Sequence, residues 1–290
     1  MTLSPKLHRW IYLVSLTCIA IGLPFSKALI SIGEIVLVLN FLSEGHWRQR
    51  WEKFKQLKTS WWLIGFFLLH AVGLLWTSDF EYALSDLRVK VPLLIFPLVI
   101  PLSHRLKRSE FLWIAAFFAG AVILASFFST YTFFQNRDEP GFNYRDISLF
   151  TSHIRYSLMV CLSYIFLLNC AWNEEKNKWL KLGYVLLAVW LSLFVFILQS
   201  MTGIVIWFLC SYMLLFYTMF YLKQPFWRIT GTTILWVMPL LMGTYLALQV
   251  DVFYHDSEPN YSTLEAHSAA GEYYHHDTLS GALENAHYID

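Results

Sequence analysis

The chain has 290 residues, of which 57% are hydrophobic and only 14% charged, with a net charge of +1 and a mean hydropathy of +0.49. Soluble domains carry about 25% charged residues, and no single water-soluble core of this length buries so many Leu, Phe and Trp side chains. A near-neutral charge excludes bulk attraction to nucleic acid, so the composition reads as an all-α, polytopic helical membrane protein.

In chain order, apolar runs that suit a ~30 Å hydrocarbon layer fall at about 11–26, 28–42, 61–77, 88–102, 111–134, 153–172, 182–198, 203–222 and 229–249, giving about nine transmembrane helices. Lys6 and Arg9 precede the first run as in a signal peptide. It lacks a small-x-small cleavage site and continues into a second apolar stretch, so it reads as a retained first helix. Ten-residue alternating strand patterns are absent, and in lipid the remaining way to satisfy every backbone group is the helix. Cys18, Cys161, Cys170 and Cys210 all lie within apolar runs, without metal or redox spacing, and read as small core hydrophobes.

The run at 88–102 is the weakest, with Pro92, Pro97 and Pro101 in a short apolar core. The positive-inside rule decides whether it crosses. If it does, 15 of the 21 Lys and Arg residues fall on the inner side; if not, the division is 10 to 11. The crossing arrangement places the N-terminus in the cytoplasm and everything after Asp251 outside. Residues 1–249 then form the helical membrane domain, and 250–290 an extracytoplasmic polar tail. From 251 onward the chain has no Lys or Arg, eight acidic residues and five of its ten histidines.

Cations on the outer side are the exceptions to this rule: Lys27, Arg88, Lys90, Arg137, Arg145 and Arg155. Lys27, in a tight turn between the first two runs, reads as a snorkelling anchor. Each arginine taken alone can anchor a lipid headgroup or pair with an acid such as Asp86 or Asp146. As a set, Arg88, Arg145 and Arg155, supported by Lys90, suit a polyanion, because guanidinium forks bind phosphate bidentately. The polyanion expected at this depth is a lipid-linked pyrophosphate. Of the polar residues within runs, His70 reads as a bundle histidine with its hydrogen bond satisfied, and Glu34 as protonated or paired with Lys27. Ser200-Met201-Thr202-Gly203 reads as a tight outer turn. The tail histidines lack ligand spacing, so no metal and no cofactor are expected. Gly-rich nucleotide loops and G-x-S-x-G elbows are also absent, which argues against ATP-driven transport and serine hydrolysis.

Leu75-Trp76-Thr77-Ser78-Asp79, Ala83-Leu84-Ser85-Asp86-Leu87-Arg88 and Leu93-Leu94-Ile95-Phe96-Pro97-Leu98 together resemble the O-antigen ligase family and its lipid-linked polymerase relatives. His153-Ile154-Arg155-Tyr156-Ser157, the turn at 200–203 and the tail segments 273–278 and 284–289 are similar to further landmarks, so the likeness covers most of residues 60–290. The resemblance implies transfer of a glycan from undecaprenyl pyrophosphate to a lipid-anchored sugar acceptor at the periplasmic face, in the bacterial inner membrane and without metal or ATP. It implies pyrophosphate binding by Arg88, Lys90, Arg145 and Arg155, and a histidine general base, for which His275, His276 and His287 are the candidates.

The chain departs from the family pattern in three ways. Family members continue from a large outer loop into further spans, which implies that 250–290 opens such a loop in a truncated or minimal relative. His267-Ser268 begins the family's loop motif, but the expected downstream glycines are missing. Met201 stands where many relatives have Arg. Repeat-unit polymerisation is the near alternative, since it uses the same donor. A non-catalytic transporter or remnant is the alternative of another class, and it would distribute polar residues along a path across the bilayer. A sensor is disfavoured by short inner loops with no signalling module.

Overall fold

The computed structural model describes residues 4–77, 80–137, 147–174, 176–219, 224–255, 283–284 and 287–288. The described residues form eleven helices: α1 (Pro5–Phe25), α2 (Lys27–Glu44), α3 (Trp47–Lys55), α4 (Lys58–Gly73), α5 (Phe80–Lys90), α6 (Pro92–Leu102), α7 (Arg108–Asn136), α8 (His153–Asn173), α9 (Lys178–Leu198), α10 (Met201–Met219) and α11 (Pro225–His255). The one departure from helix is a pair of two-residue strands, β1 (Leu283–Glu284) and β2 (His287–Tyr288), antiparallel with Leu283 opposite Tyr288 and Glu284 opposite His287.

This is a multi-pass helical membrane protein. Six helices are long and apolar enough to cross a bilayer, and a seventh span arises if α2 and α3 count as one segment broken by 112°. The expected count of nine is not reached by length and apolarity alone. Helix α4 has 16 residues, and the run expected at 88–102 is split into α5 and α6, each of 11 residues. Prolines explain α6: each removes a backbone donor and disturbs the turn before it. Pro101 leaves the Pro97 carbonyl without its intrahelical partner, and the Ser60 hydroxyl of α4 donates to that oxygen at 2.9 Å.

The chain divides into two compact units, residues 1–207 and 208–290. In the first, α1 packs on α2 and α7, α8 on α7 and α9, and α6 on α2, α3, α4 and α5. One core joins Tyr12 and Ile19 of α1, Leu37 and Phe41 of α2 and Val99 of α6. In the α7–α8–α9 layer Val122, Tyr156, Val160, Leu191 and Phe194 are fully or nearly fully buried. Hydrocarbon tails are as apolar as leucine, so packing depends on close approach through small residues and on interhelical hydrogen bonds. Gly33 is such a place: a Cβ there would lie 2.7 Å from Ile19 Cγ1 and 3.1 Å from the Ser15 carbonyl oxygen. Between helices, Trp190 Nε1 donates to Ser126 Oγ at 2.8 Å, and buried His8 and Asn40 exchange bonds of 2.8 and 3.0 Å. Because the Asn40 amide nitrogen donates to the His8 carbonyl, its oxygen accepts from His8 Nδ1.

The second unit holds the end of α10, α11 and the strand pair. Helix α11 runs on to His255, past the expected boundary at 249. Residues of α10 and α11, among them Tyr212, Met219, Arg228 and Trp236, line a cavity of about 440 Å³.

Candidate functional site

The turn between α1 and α2 is one residue long, and its sequence makes it so. Ser26 is extended, its N–H donates to the Gly22 carbonyl at 2.7 Å, and its hydroxyl accepts from the Leu29 N–H at 3.4 Å. Gly22 allows the reversal, since a Cβ there would lie 2.9 Å from the Ile30 nitrogen. Lys27 is thereby fixed as the first residue of α2. The segment before α8 docks on this turn through Phe25 and Phe150, whose rings meet edge-on at 5.3 Å. His153 then opens α8 with its Nδ1 3.3 Å from Ser148 Oγ, and Arg155 follows within the first turn.

These elements enclose a cavity of about 630 Å³ between the α1–α2 turn, α7 and α8. Its walls are apolar, with Phe111 and Phe118 from α7 and Leu158 and Phe166 from α8, and it carries two cations, Lys27 and Arg155. Both are exposed, and neither forms an ion pair among the described residues. An apolar slot with a few convergent polar groups is the usual form of a small-molecule site. Here the polar groups are positive, so the ligand it suits is an amphiphile with an anionic head.

Of the residues expected to bind pyrophosphate, Arg155 lines this cavity. Arg145 lies outside the described residues. Arg88 and Lys90 sit on α5, which packs on α4 and α6, and neither is among the residues lining the Lys27–Arg155 cavity. Lys90 pairs with Asp86 one turn earlier on its own helix, whereas Arg88 is exposed and forms no ion pair among the described residues. Asp86 also lines a cavity of about 380 Å³ between α4 and α5, together with His70 and Tyr82. His70 has its hydrogen bond, with Nδ1 at 2.8 Å from the Phe66 carbonyl oxygen. His275 and His276 lie outside the described residues; His287 is in β2, opposite Glu284.

The structure adds one residue that sequence reasoning set aside. Lys27 read as an anchor, yet it shares the cavity with Arg155. The signal was present: both belong to the small set of cations that the sequence reading places on the outer side. Lys27 and Glu34 do not pair, and Glu34 Oε1 is buried without a hydrogen-bond partner among the described residues. The tight turn falls at Gln199 and Ser200, and residues 201–203, expected within it, already belong to α10. Gln199 is left-handed (φ 51°), and Ser200 Oγ donates to Ser157 Oγ at 3.0 Å. A Cβ on Gly203 would lie 2.5 Å from Ser157 Cβ. This contact locks the start of α10 against α8 at Ser157, two residues after Arg155.

Compared with known protein families, curated proteins and solved structures, the chain has no significant match.

Proposed function

We propose that the protein binds an undecaprenyl-pyrophosphate-linked glycan in the Lys27–Arg155 cavity and transfers the glycan to a lipid-anchored sugar acceptor, as an O-antigen ligase does. The observation that supports this reading is the pairing of an apolar slot between helices with two cations that form no ion pair among the described residues. The prenyl chain would lie along the α7 and α8 walls, and the diphosphate would meet the ammonium and the guanidinium. In this reading the N-terminus is cytoplasmic, the cavity opens toward the periplasm, and the tail after α11 is periplasmic.

The chemistry asks little more of the site. The acceptor hydroxyl oxygen bonds to the anomeric carbon while the bond from that carbon to the diphosphate oxygen breaks. Undecaprenyl diphosphate leaves with the electron pair, and fixed positive charge stabilises the leaving group without reorganisation at the moment of reaction. The hydroxyl proton passes to a general base, a role suited to histidine near neutral pH. His275, His276 and His287 are the proposed bases. Arg145 and Arg88 would extend the anion site if their segments approach it.

The test is glycan transfer by the full chain in proteoliposomes supplied with lipid-pyrophosphate donor and glycolipid acceptor. Charge-assisted hydrogen bonds are worth about 1.5–3 kcal/mol each, so Arg155→Ala is expected to lower donor binding about ten- to a hundredfold. Donor binding unchanged in the Lys27→Ala/Arg155→Ala double variant would refute the assignment of this cavity.

A further inference from the structure

A second surface, remote in sequence from Arg155, also has the makings of a binding site. Helix α3, Trp47-Arg48-Gln49-Arg50-Trp51-Glu52-Lys53-Phe54-Lys55, leaves α2 at 112°. The bend is built in: Gly45 has φ 75° and His46 is left-handed at φ 61°, so two successive residues take conformations that turn the chain out of the helix. Arg50 then holds the new direction. Its guanidinium is buried, donates to the Phe41 carbonyl at 2.6 Å, pairs with Glu44 and lies 4.0 Å from the centre of the Phe41 ring. His104 Nδ1 is 3.4 Å from the other Glu44 oxygen, and Phe54 packs against Trp61 at 4.6 Å.

With Arg50 and Phe54 turned inward, the helix shows two other kinds of residue outward. At 100° per residue Trp47 and Trp51 follow one another on one side next to Phe54, and each is 53% exposed. Arg48 and Lys53 lie on the remaining arc, and Lys58 follows at the start of α4. These three cations are exposed and form no ion pair among the described residues, and the one acid on α3, Glu52, is engaged by Lys55 at 3.0 Å. Exposed tryptophans beside unpaired cations, on a short helix turned across its neighbour, match the physics of the membrane interface. There the indoles sit at headgroup depth and the cations meet phosphates.

We infer that α3 is an interfacial helix whose Arg48, Lys53 and Lys58 bind the phosphates of anionic phospholipids, with Trp47 and Trp51 seated among the headgroups. The charge of the patch selects the occupant: three unneutralised cations favour phosphatidylglycerol-like lipids over zwitterionic ones. The inference is independent of glycan transfer and concerns a different set of residues.

The test uses the full chain in phosphatidylcholine vesicles carrying either spin-labelled phosphatidylglycerol or spin-labelled phosphatidylcholine, with the motionally restricted fraction of each probe read by electron spin resonance. The wild-type chain is expected to restrict phosphatidylglycerol in excess, and the excess should shrink as salt rises. The Arg48→Gln/Lys53→Gln/Lys58→Gln variant should lower the relative affinity for phosphatidylglycerol about fivefold or more, with the phosphatidylcholine signal unchanged. Glu52→Gln, which releases Lys55, should raise it. Lys176→Gln/Lys178→Gln/Lys181→Gln, which alters another basic segment, should leave most of the excess in place. An undiminished excess in the α3 variant, or an equal loss in the 176–181 variant, overturns the inference.

Discussion

The first unit carries charge at both ends, and the two ends use it differently. Where α1 begins, Arg9 grips Glu110 of α7 with contacts of 2.7, 2.7 and 3.0 Å, and Glu110 also accepts from the Lys107 N–H at 2.8 Å. In the same region Glu44 is shared by Arg50 and His104. Where α1 turns into α2, Lys27 and Arg155 face one apolar cavity with no acid among its described lining residues. A bidentate pair ties two helices together and satisfies both groups. Two like charges without an acidic partner repel one another and add nothing to the fold, so their placement is informative about a ligand. Paired charge at one end builds the bundle; unpaired charge at the other leaves room for an anion.

The sharpest way to break this contrast is to exchange the effects. Lys27→Ala/Arg155→Ala should lower binding of a prenyl-pyrophosphate donor by at least about a hundredfold and leave the unfolding temperature of the detergent-solubilised protein unchanged. Loss of stability in step with binding would show that these cations serve the fold. Arg9→Met is expected to do the reverse, lowering thermal stability because Glu110 loses its partner while donor binding persists.

Smaller effects sharpen the picture of how the site is held. Gly203→Ala forces a methyl against Ser157 and should cost about 1–3 kcal/mol, the usual range for overpacking, seen as a lower midpoint of unfolding. Because this contact holds α8 two residues after Arg155, donor affinity should also fall, though by less than in the cavity variants. Ser60→Ala orphans the Pro97 carbonyl and should cost about 1 kcal/mol, with no change in donor binding. Asp86→Asn is the mildest. It frees Lys90 from a half-exposed pair on one helix, worth about 0.3–0.5 kcal/mol at most, and a gain in donor affinity would bring α5 back into the site.

Much of the architecture is legible from hydropathy because the bilayer imposes length and composition on whatever crosses it. The five apolar runs from 111 to 249 reappear as α7 to α11 with modest changes at their ends. The region from 27 to 102 is less legible. There the apolar signal is interrupted by Gly45, by the charged α3 and by three prolines, and those interruptions are backbone events that hydropathy does not register. The candidate site was half legible. Arg155 stood out as a cation expected on the outer side, but Lys27 looked like an anchor until the folded chain placed it against α8.

The amino-acid sequence by itself determined that the protein is a helical membrane protein, because apolar runs of this length have no other stable environment and no other way to satisfy their backbone. It also singled out a small set of cations, Lys27 and Arg155 among them, as the expected exceptions to the charge bias. Only the tertiary structure decided which of them meet. Lys27 and Arg155 are more than a hundred residues apart, and what joins them is a one-residue turn, an edge-on pair of phenylalanines and the packing of α7 and α8 around a common slot. Such proximity depends on packed surfaces that a one-dimensional pattern of polarity does not contain.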